Sequence, residues 1–186
     1  MAGPIAKFIN TAQLDNAQIR FRNFSGNPGQ YNAQGQRNFC ALLPEDVANA
    51  MAADGWNVKY LKAREEGDKD QAYIKIRVNF SGPRPPKVWM VTSKGRRQLD
   101  EDMISILDWA DFEKVDLIMS PYKYDVNGNQ GVSAYLQTIF VTIREDELEQ
   151  RYADVPEIEM GQDALGVWEE TSDAEIEAMK QFEIEQ

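Results

Sequence analysis

QAYIKIRVNF, residues 71–80, alternates without a break: Ala72, Ile74, Ile76, Val78 and Phe80 fall on one side, and Gln71, Tyr73, Lys75, Arg77 and Asn79 on the other. A period of two is the pattern of a strand with one face against a core. The polar face carries an aromatic ring beside two cations, a combination suited to a flexible polyanion whose bases can stack. A half-buried strand with a solvated basic face has the same alternation, so the neighbouring segments have to decide between the two.

Several neighbours repeat the pattern. Residues 18–24, QIRFRNF, alternate with Ile19 and Phe21 on one face and Arg20 and Arg22 on the other. The following SGNPGQYNAQGQR is loop by composition and carries Tyr31 and Arg37. Residues 38–43 read as a strand, and Pro44 opens a short helix over 45–55. That helix has acids in its first turn, Gly55 at its end, and Val47, Ala48 and Met51 as its apolar stripe. WNVKYLK, residues 56–62, is a further strand with Tyr60 and Lys62 on one side and Lys59 on the other. Residues 64–71, REEGDKDQ, form a polar hairpin turn that leads into the strand over 71–80.

After Phe80, SGPRPPK is a loop stiffened by three prolines and bearing Arg84 and Lys87. KVWMVTS is a strand in which Trp89 has apolar neighbours on both sides. SKGRR places Lys94, Arg96 and Arg97 on a turn. Asp100 caps a helix predicted over 101–110, with Met103, Ile104 and Leu107 buried. Residues 115–126 and 132–143 form a closing hairpin about Asn127 and Gly128, a strong type I′ signal. A short acidic helix then ends the folded body. Trp56, Phe21, Phe80 and Phe39 are assigned to the core. The first 15 or so residues, without a clear period, read as a mobile arm.

Charge divides along the chain more sharply than the net -11 suggests. Residues 1–100 carry a net +6, residues 101–154 a net -8 and residues 155–186 a net -9. A basic body with an acidic appendage is the asymmetry of a polyanion binder. Two domains follow: a body over 1–154 and a largely disordered acidic tail over 155–186. In the tail Ser172 and Glu175 make a capping box, and Met179 and Phe182 offer a small apolar contact for a partner.

Catalytic chemistry lacks its usual signals. There is no histidine, a single cysteine, Cys40, and no glycine-rich phosphate loop. Asp125, Asn127 and Asn129 start like a calcium loop, but Gln130 and Leu136 stand where Gly and Glu are needed. Asp100, Glu101, Asp102, Asp108 and Asp111 read as solvated helix acids rather than a Mg²⁺ site. No enzyme activity, metal or cofactor is expected. No run approaches the ~20 apolar residues of a membrane span, and the start has no signal-peptide h-region, so a cytoplasmic protein without a membrane partner is expected.

FRNFSG, then YNAQGQR, DGWNVKYLK and GVSAYLQTIFVTI, with the acidic end, resemble the single-stranded DNA-binding proteins encoded by tailed phages. The resemblance covers about residues 19–152. It implies an OB-fold barrel that covers replication and recombination intermediates in the host cytoplasm without strong sequence preference, and an acidic tail that contacts replication partners. The end, FEIEQ, departs from the aromatic tip of many proteins of that function.

The expected fold is therefore all-β with minor α: an OB-like barrel of five or more strands, one or two short helices and the tail. Its expected partner is single-stranded DNA, bound by Arg20, Arg22, Tyr31, Arg37, Lys59, Tyr60, Lys62, Tyr73, Lys75, Arg77, Arg84, Lys87, Trp89, Lys94, Arg96 and Arg97. Two rivals stay open, an acidic DNA mimic that inhibits a host factor and a virion structural protein.

Overall fold

The computed structural model describes residues 10–152 and 154–156. The chain divides into two units, Met1–Gln150 and Arg151–Gln186, and the fold below is that of the first. The disorder expected of the tail, the capping box at Ser172 and the contact residues Met179 and Phe182 lie outside the described residues.

In chain order the elements are β1 (Ala12–Leu14), β2 (Gln18–Asn23), β3 (Arg37–Leu42), α1 (Glu45–Ala53), β4 (Val58–Leu61), β5 (Gln71–Val78), β6 (Lys87–Thr92), β7 (Gly95–Leu99), a 3₁₀ turn (Ile104–Asp108), β8 (Phe112–Val126), β9 (Asn129–Ile143) and α2 (Glu147–Tyr152). All nine strands belong to one sheet. Five of them, in the order β2-β3-β5-β9-β8, form an OB-like barrel. Neighbours are antiparallel except β5 and β9, which run parallel. Where β2 meets β8, the Ala17 N–H donates to the Val115 carbonyl at 2.8 Å and the Asn16 N–H to the Asp116 carboxylate at 2.8 Å.

β5 keeps its alternation along its whole length. Ala72, Ile74, Ile76 and Val78 are all buried. One edge of β5 pairs with β3 throughout; the other pairs first with β4 and then with β9. Partners on both edges hold the register, and a slip of one residue would turn four apolar side chains to water. Opposite it, Phe39 stacks on Phe24 with ring centroids 5.2 Å apart, and Ile139, Val141, Leu117 and Met119 fill the far wall.

α1 begins after Pro44, carries Glu45 and Asp46 in its first turn and buries Ala48 and Met51. The hairpin β8–β9 turns at Asn127 (φ 53) and Gly128 (φ 82), both positive as a type I′ turn requires.

Four expectations are corrected. Ala12–Leu14, read within a mobile arm, is strand β1, held on β8 with Leu14 buried; three residues are too few to show a period. Residues 95–99, read as part of a turn, are β7 and pair with β6. The helix expected over 101–110 is a turn followed by a 3₁₀ segment. The Asp100 carboxylate does cap, accepting the Asp102 and Met103 N–H groups, and Ile104 and Leu107 are buried. Their spacing of three residues suits the tighter helix. Phe21, assigned to the core, is 63% exposed. A bulge between Arg20 and Asn23 takes Phe21 to φ 52 and breaks the alternation of β2.

Candidate nucleic-acid interface

Strand register decides which side chains share the outer wall of the barrel. Ile19, Ala41 and Ile74 stand in line across β2, β3 and β5, and Phe39 stands opposite Ile76. All five are buried, so the residues between them face outward. These form three rungs: Gln18, Leu42, Tyr73 and Lys59; Arg20, Cys40 and Lys75; Asn23, Asn38, Arg77 and Tyr135. Two rings and four cations thus lie on one wall.

Lys59 and Lys75 both act on Cys40 in the middle rung. Burial pushes its thiol up from the ordinary value, and the two ammonium groups pull the other way. Among the described residues Lys59, Lys75 and Arg77 have no ion-pair partner. Their charge is available to an external anion.

One groove runs along this wall. Its first part lies between Arg37, Asn38, Lys75, Arg77 and Tyr135. Its second, a cleft of about 560 Å³, continues from Arg77 and Tyr135 to Lys59, Tyr122 and Tyr124. Tyr122 meets Tyr135 edge-on at 5.6 Å. Tyr124 accepts a hydrogen bond from Asn57 Nδ2 at 3.0 Å and lies across Gly131. A Cβ on Gly131 would run into Asn57 Oδ1 and the Tyr124 hydroxyl, so only glycine lets this ring lie flat there. Tyr122, Tyr124 and Tyr135 were not singled out in the sequence. Their signal was present as the alternations Ser120, Tyr122, Tyr124 and Ser133, Tyr135 within a hairpin read only as a closing element.

A self-knit loop borders the groove's start through Gly35 and Gln36. Asn23 and Asn27 bond reciprocally, Asn32 Nδ2 donates to the Gln36 carbonyl at 2.8 Å, and Asn38 Nδ2 donates to Asn32 Oδ1 at 2.7 Å. Gly26 (φ 71) brings the loop base against Gly35, where a Cβ would stand 3.0 Å from the Gly35 backbone, tighter than ordinary contact. Tyr31 sits in this loop, 86% exposed.

The other expected site residues fall elsewhere. Arg20 is on the wall, but Arg22 turns away: its Nη1 donates to the carbonyls of Leu107 at 3.0 Å and Ala110 at 2.6 Å, and its guanidinium lies over Phe112. Arg37 lines the groove, yet donates to Glu101 at 2.9 Å and stands over Phe80. Tyr60, 52% exposed, stands opposite Ala72 and so lies on the opposite side of β4 from Lys59. Lys62 follows β4 and is exposed. Arg84 lies in the proline loop; Lys87, Trp89 and Arg96 belong to the β6–β7 hairpin, with Lys94 in its turn. Arg97 stands opposite Met90 and donates to Met103 Sδ at 3.4 Å.

The acids considered for a metal have separate duties. Asp108 accepts the N–H groups of Phe24 and Ser25, Glu101 pairs with Arg37, and Asp111 pairs with Arg144. Among the described residues no cluster of His, Cys, Asp or Glu could hold a metal ion, and no helix is long and apolar enough to cross a membrane. A second cleft, of about 400 Å³ beside Leu14, Asp15, Leu42 and Pro44, has no cation in its lining.

A family model for the phage ssDNA-binding domain matches residues 3–185. The chain belongs to this family. No curated protein matches it. Among solved structures it is similar to the single-stranded DNA-binding protein from bacteriophage Enc34 in complex with ssDNA, at 11% identity and a TM-score of 0.49, covering 74% of this chain and 88% of that one. A further structure of the single-stranded DNA-binding protein from bacteriophage Enc34 matches at 12% identity and a TM-score of 0.47, covering 78% and 89%. Also similar is gp2.5, a single-stranded DNA-binding protein encoded by bacteriophage T7, at 14% identity and a TM-score of 0.34, covering 84% and 100%.

Proposed function

We propose that this member of the phage ssDNA-binding family coats single strands along the outer wall of β2, β3 and β5 and the adjoining hairpin, without strong sequence preference and without catalysing a reaction. Phosphates lie along Arg20, Lys59, Lys75 and Arg77, while bases stack on Tyr73, Tyr135 and Tyr122. The observation that carries this reading is the rung joining Arg77 to Tyr135. It makes the two clefts one groove and puts unpaired cations beside aromatic rings, the two ingredients of non-specific single-strand binding. OB-folds bind oligonucleotides with this same part of the barrel, the face of the second and third barrel strands and the loops beside it.

In the cell this binding protects strands during phage DNA replication and recombination. Residues 1–154 hold the strand. Residues 155–186, with a net charge of -9, recruit partner proteins through Met179 and Phe182.

The test is anisotropy of labelled oligo-dT at several salt concentrations. Four neutralised phosphates at ~0.7 each give a slope of log K against log salt near -3, and single strands bind well above duplex. Equal affinity for duplex, or no affinity at all, sinks the reading; the latter result points to a DNA mimic.

A further inference from the structure

Beyond the groove, the outer wall carries a second aromatic and cationic surface. β5 and β6 lie one after the other along the same edge of β9, β5 at Ala134 and Tyr135 and β6 from Thr138 to Thr142, both parallel to it. Their outward residues therefore continue one line: Tyr73, Lys75 and Arg77, then Lys87 and Trp89. On β9 itself Tyr135 and Phe140 both face outward, one on each side of the irregularity at Gln137. Trp89 stands beside Phe140 with the rings nearly parallel, 10° apart, and their centroids 6.0 Å apart. From β7, the Arg96 guanidinium lies 4.7 Å from the centre of the Trp89 ring. Trp89 and Phe140 are only partly buried, and Arg96 is exposed.

This arrangement has no evident duty in the core. The inward residues of the same strands, Val88, Ile139 and Val141, already fill the barrel wall. The acid paired with Phe140 in register, Asp116, has its charge answered locally. It accepts the Asn16 N–H and pairs with Lys114 at 3.0 Å, so it adds little repulsion toward a phosphate.

We propose that Trp89, Phe140 and Arg96 form a second base-stacking platform, which takes the same DNA strand after it leaves the groove. This rests on the reading that the groove binds single strands. Phe140 lies five steps along β9 from Tyr135, roughly 16 Å at ~3.3 Å per residue. A short oligonucleotide that fills the groove does not reach the platform, whereas a longer one stacks a base on Trp89 and sets a phosphate beside Arg96. The platform thus lengthens the occluded site rather than creating the first contact.

The experiment compares labelled oligo-dT of about 4 and about 16 nucleotides, the two ends of the range for one OB-fold, on the unaltered chain and four variants. Trp89→Leu and Arg96→Ala are expected to weaken the long oligonucleotide at least about fivefold, the lower end of what one stacked base contributes, and to leave the short one unchanged. Tyr135→Ala is expected to weaken both. Thermal melts accompany each variant; if Trp89→Leu does not fold, exposed Arg96→Ala and Arg96→Glu decide the matter alone. Equal losses at both lengths, or no loss at either, overturn the platform while leaving the groove standing. Failure of the unaltered protein to bind either length is a failure of the groove reading instead.

Discussion

β5 and β2 look alike in the sequence, and only one of them folds as its pattern suggests. Each alternates apolar residues with arginine or lysine. β5 delivers every apolar residue to the core and every cation to the wall. β2 does so for Ile19 and Arg20 and then fails: Phe21 emerges at φ 52, and Arg22 turns to the 3₁₀ turn. The difference lies in the edges. β5 is paired on both sides along most of its length, whereas β2 has β3 on one side and meets β8 only near its start. Alternation is a request for a register, and a bulge can reset it where few hydrogen bonds resist.

The sharpest test separates the two faces of β5. Ile76→Ala should lower folding stability by about 2 to 5 kcal/mol, the range for a fully buried Ile, measured by urea unfolding. Single-strand affinity of the folded fraction should hardly change. Arg77→Ala should do the reverse: melting unchanged, affinity for oligo-dT reduced and the salt slope shallower by about 0.7. If Arg77→Ala unfolds the protein and leaves the slope intact, the two faces of β5 have been assigned the wrong way round.

The same contrast explains how much of the molecule was legible. The barrel was readable wherever a strand carried its own period and had partners on both edges: β5 and the long β8–β9 hairpin with its Asn-Gly turn. β1 was not, because three residues show no period and its place on β8 comes from a partner more than 100 residues away. In the candidate groove, the outward placing of Tyr73, Lys75, Arg77 and Lys59 was legible because each sits on the polar side of a regular strand. Tyr122 and Tyr135 were missed because their hairpin was read for its turn and not for its outer face. Tyr60 and Lys59 were read on opposite faces of β4, as the register places them; both were nonetheless offered as DNA contacts, because burial on the Tyr60 face runs out before the strand does and leaves an exposed ring.

A second break of the comparison is Arg22→Ala against Arg20→Ala. Arg22 donates to two part-buried main-chain carbonyls, those of Leu107 and Ala110, at the end of the 3₁₀ turn. Its loss should cost about 1 to 3 kcal/mol, read as a lower urea midpoint, with the salt slope of DNA binding preserved. Among the described residues Arg20 makes only a local bond to its neighbour's carbonyl. Arg20→Ala should leave the midpoint in place and make the slope shallower. Matching behaviour of the two variants in either measurement would mean that the bulge does not divide their roles.

Cys40 gives a further readout of the wall. It lies between Arg20 and Lys75 with 7% exposure, and burial holds its thiol protonated at neutral pH. Its reaction with a thiol reagent such as Ellman's should be slow, should speed up as pH rises toward the raised pKa, and should slow further when oligo-dT saturates the protein. Protection only by oligo-dT, with none by duplex at the same concentration, supports the groove. A rate that DNA leaves unchanged places the strand elsewhere.

The smallest expected effect is the most telling for β2. A phenylalanine in a barrel core contributes about 3 to 5 kcal/mol when cut to alanine. Phe21 is 63% exposed and held at positive φ, a conformation that L side chains other than Asn and Asp rarely adopt. Phe21→Ala should therefore shift stability by less than about 1 kcal/mol. Phe21→Gly should be neutral or slightly stabilising, because relief of the strained backbone offsets the greater freedom of the unfolded chain. The order Gly equal to or above Ala, in urea midpoints, is the signature of the bulge. A loss of several kcal/mol for alanine, with glycine worse still, would put Phe21 back in the core and restore the unbroken alternation that the sequence suggests.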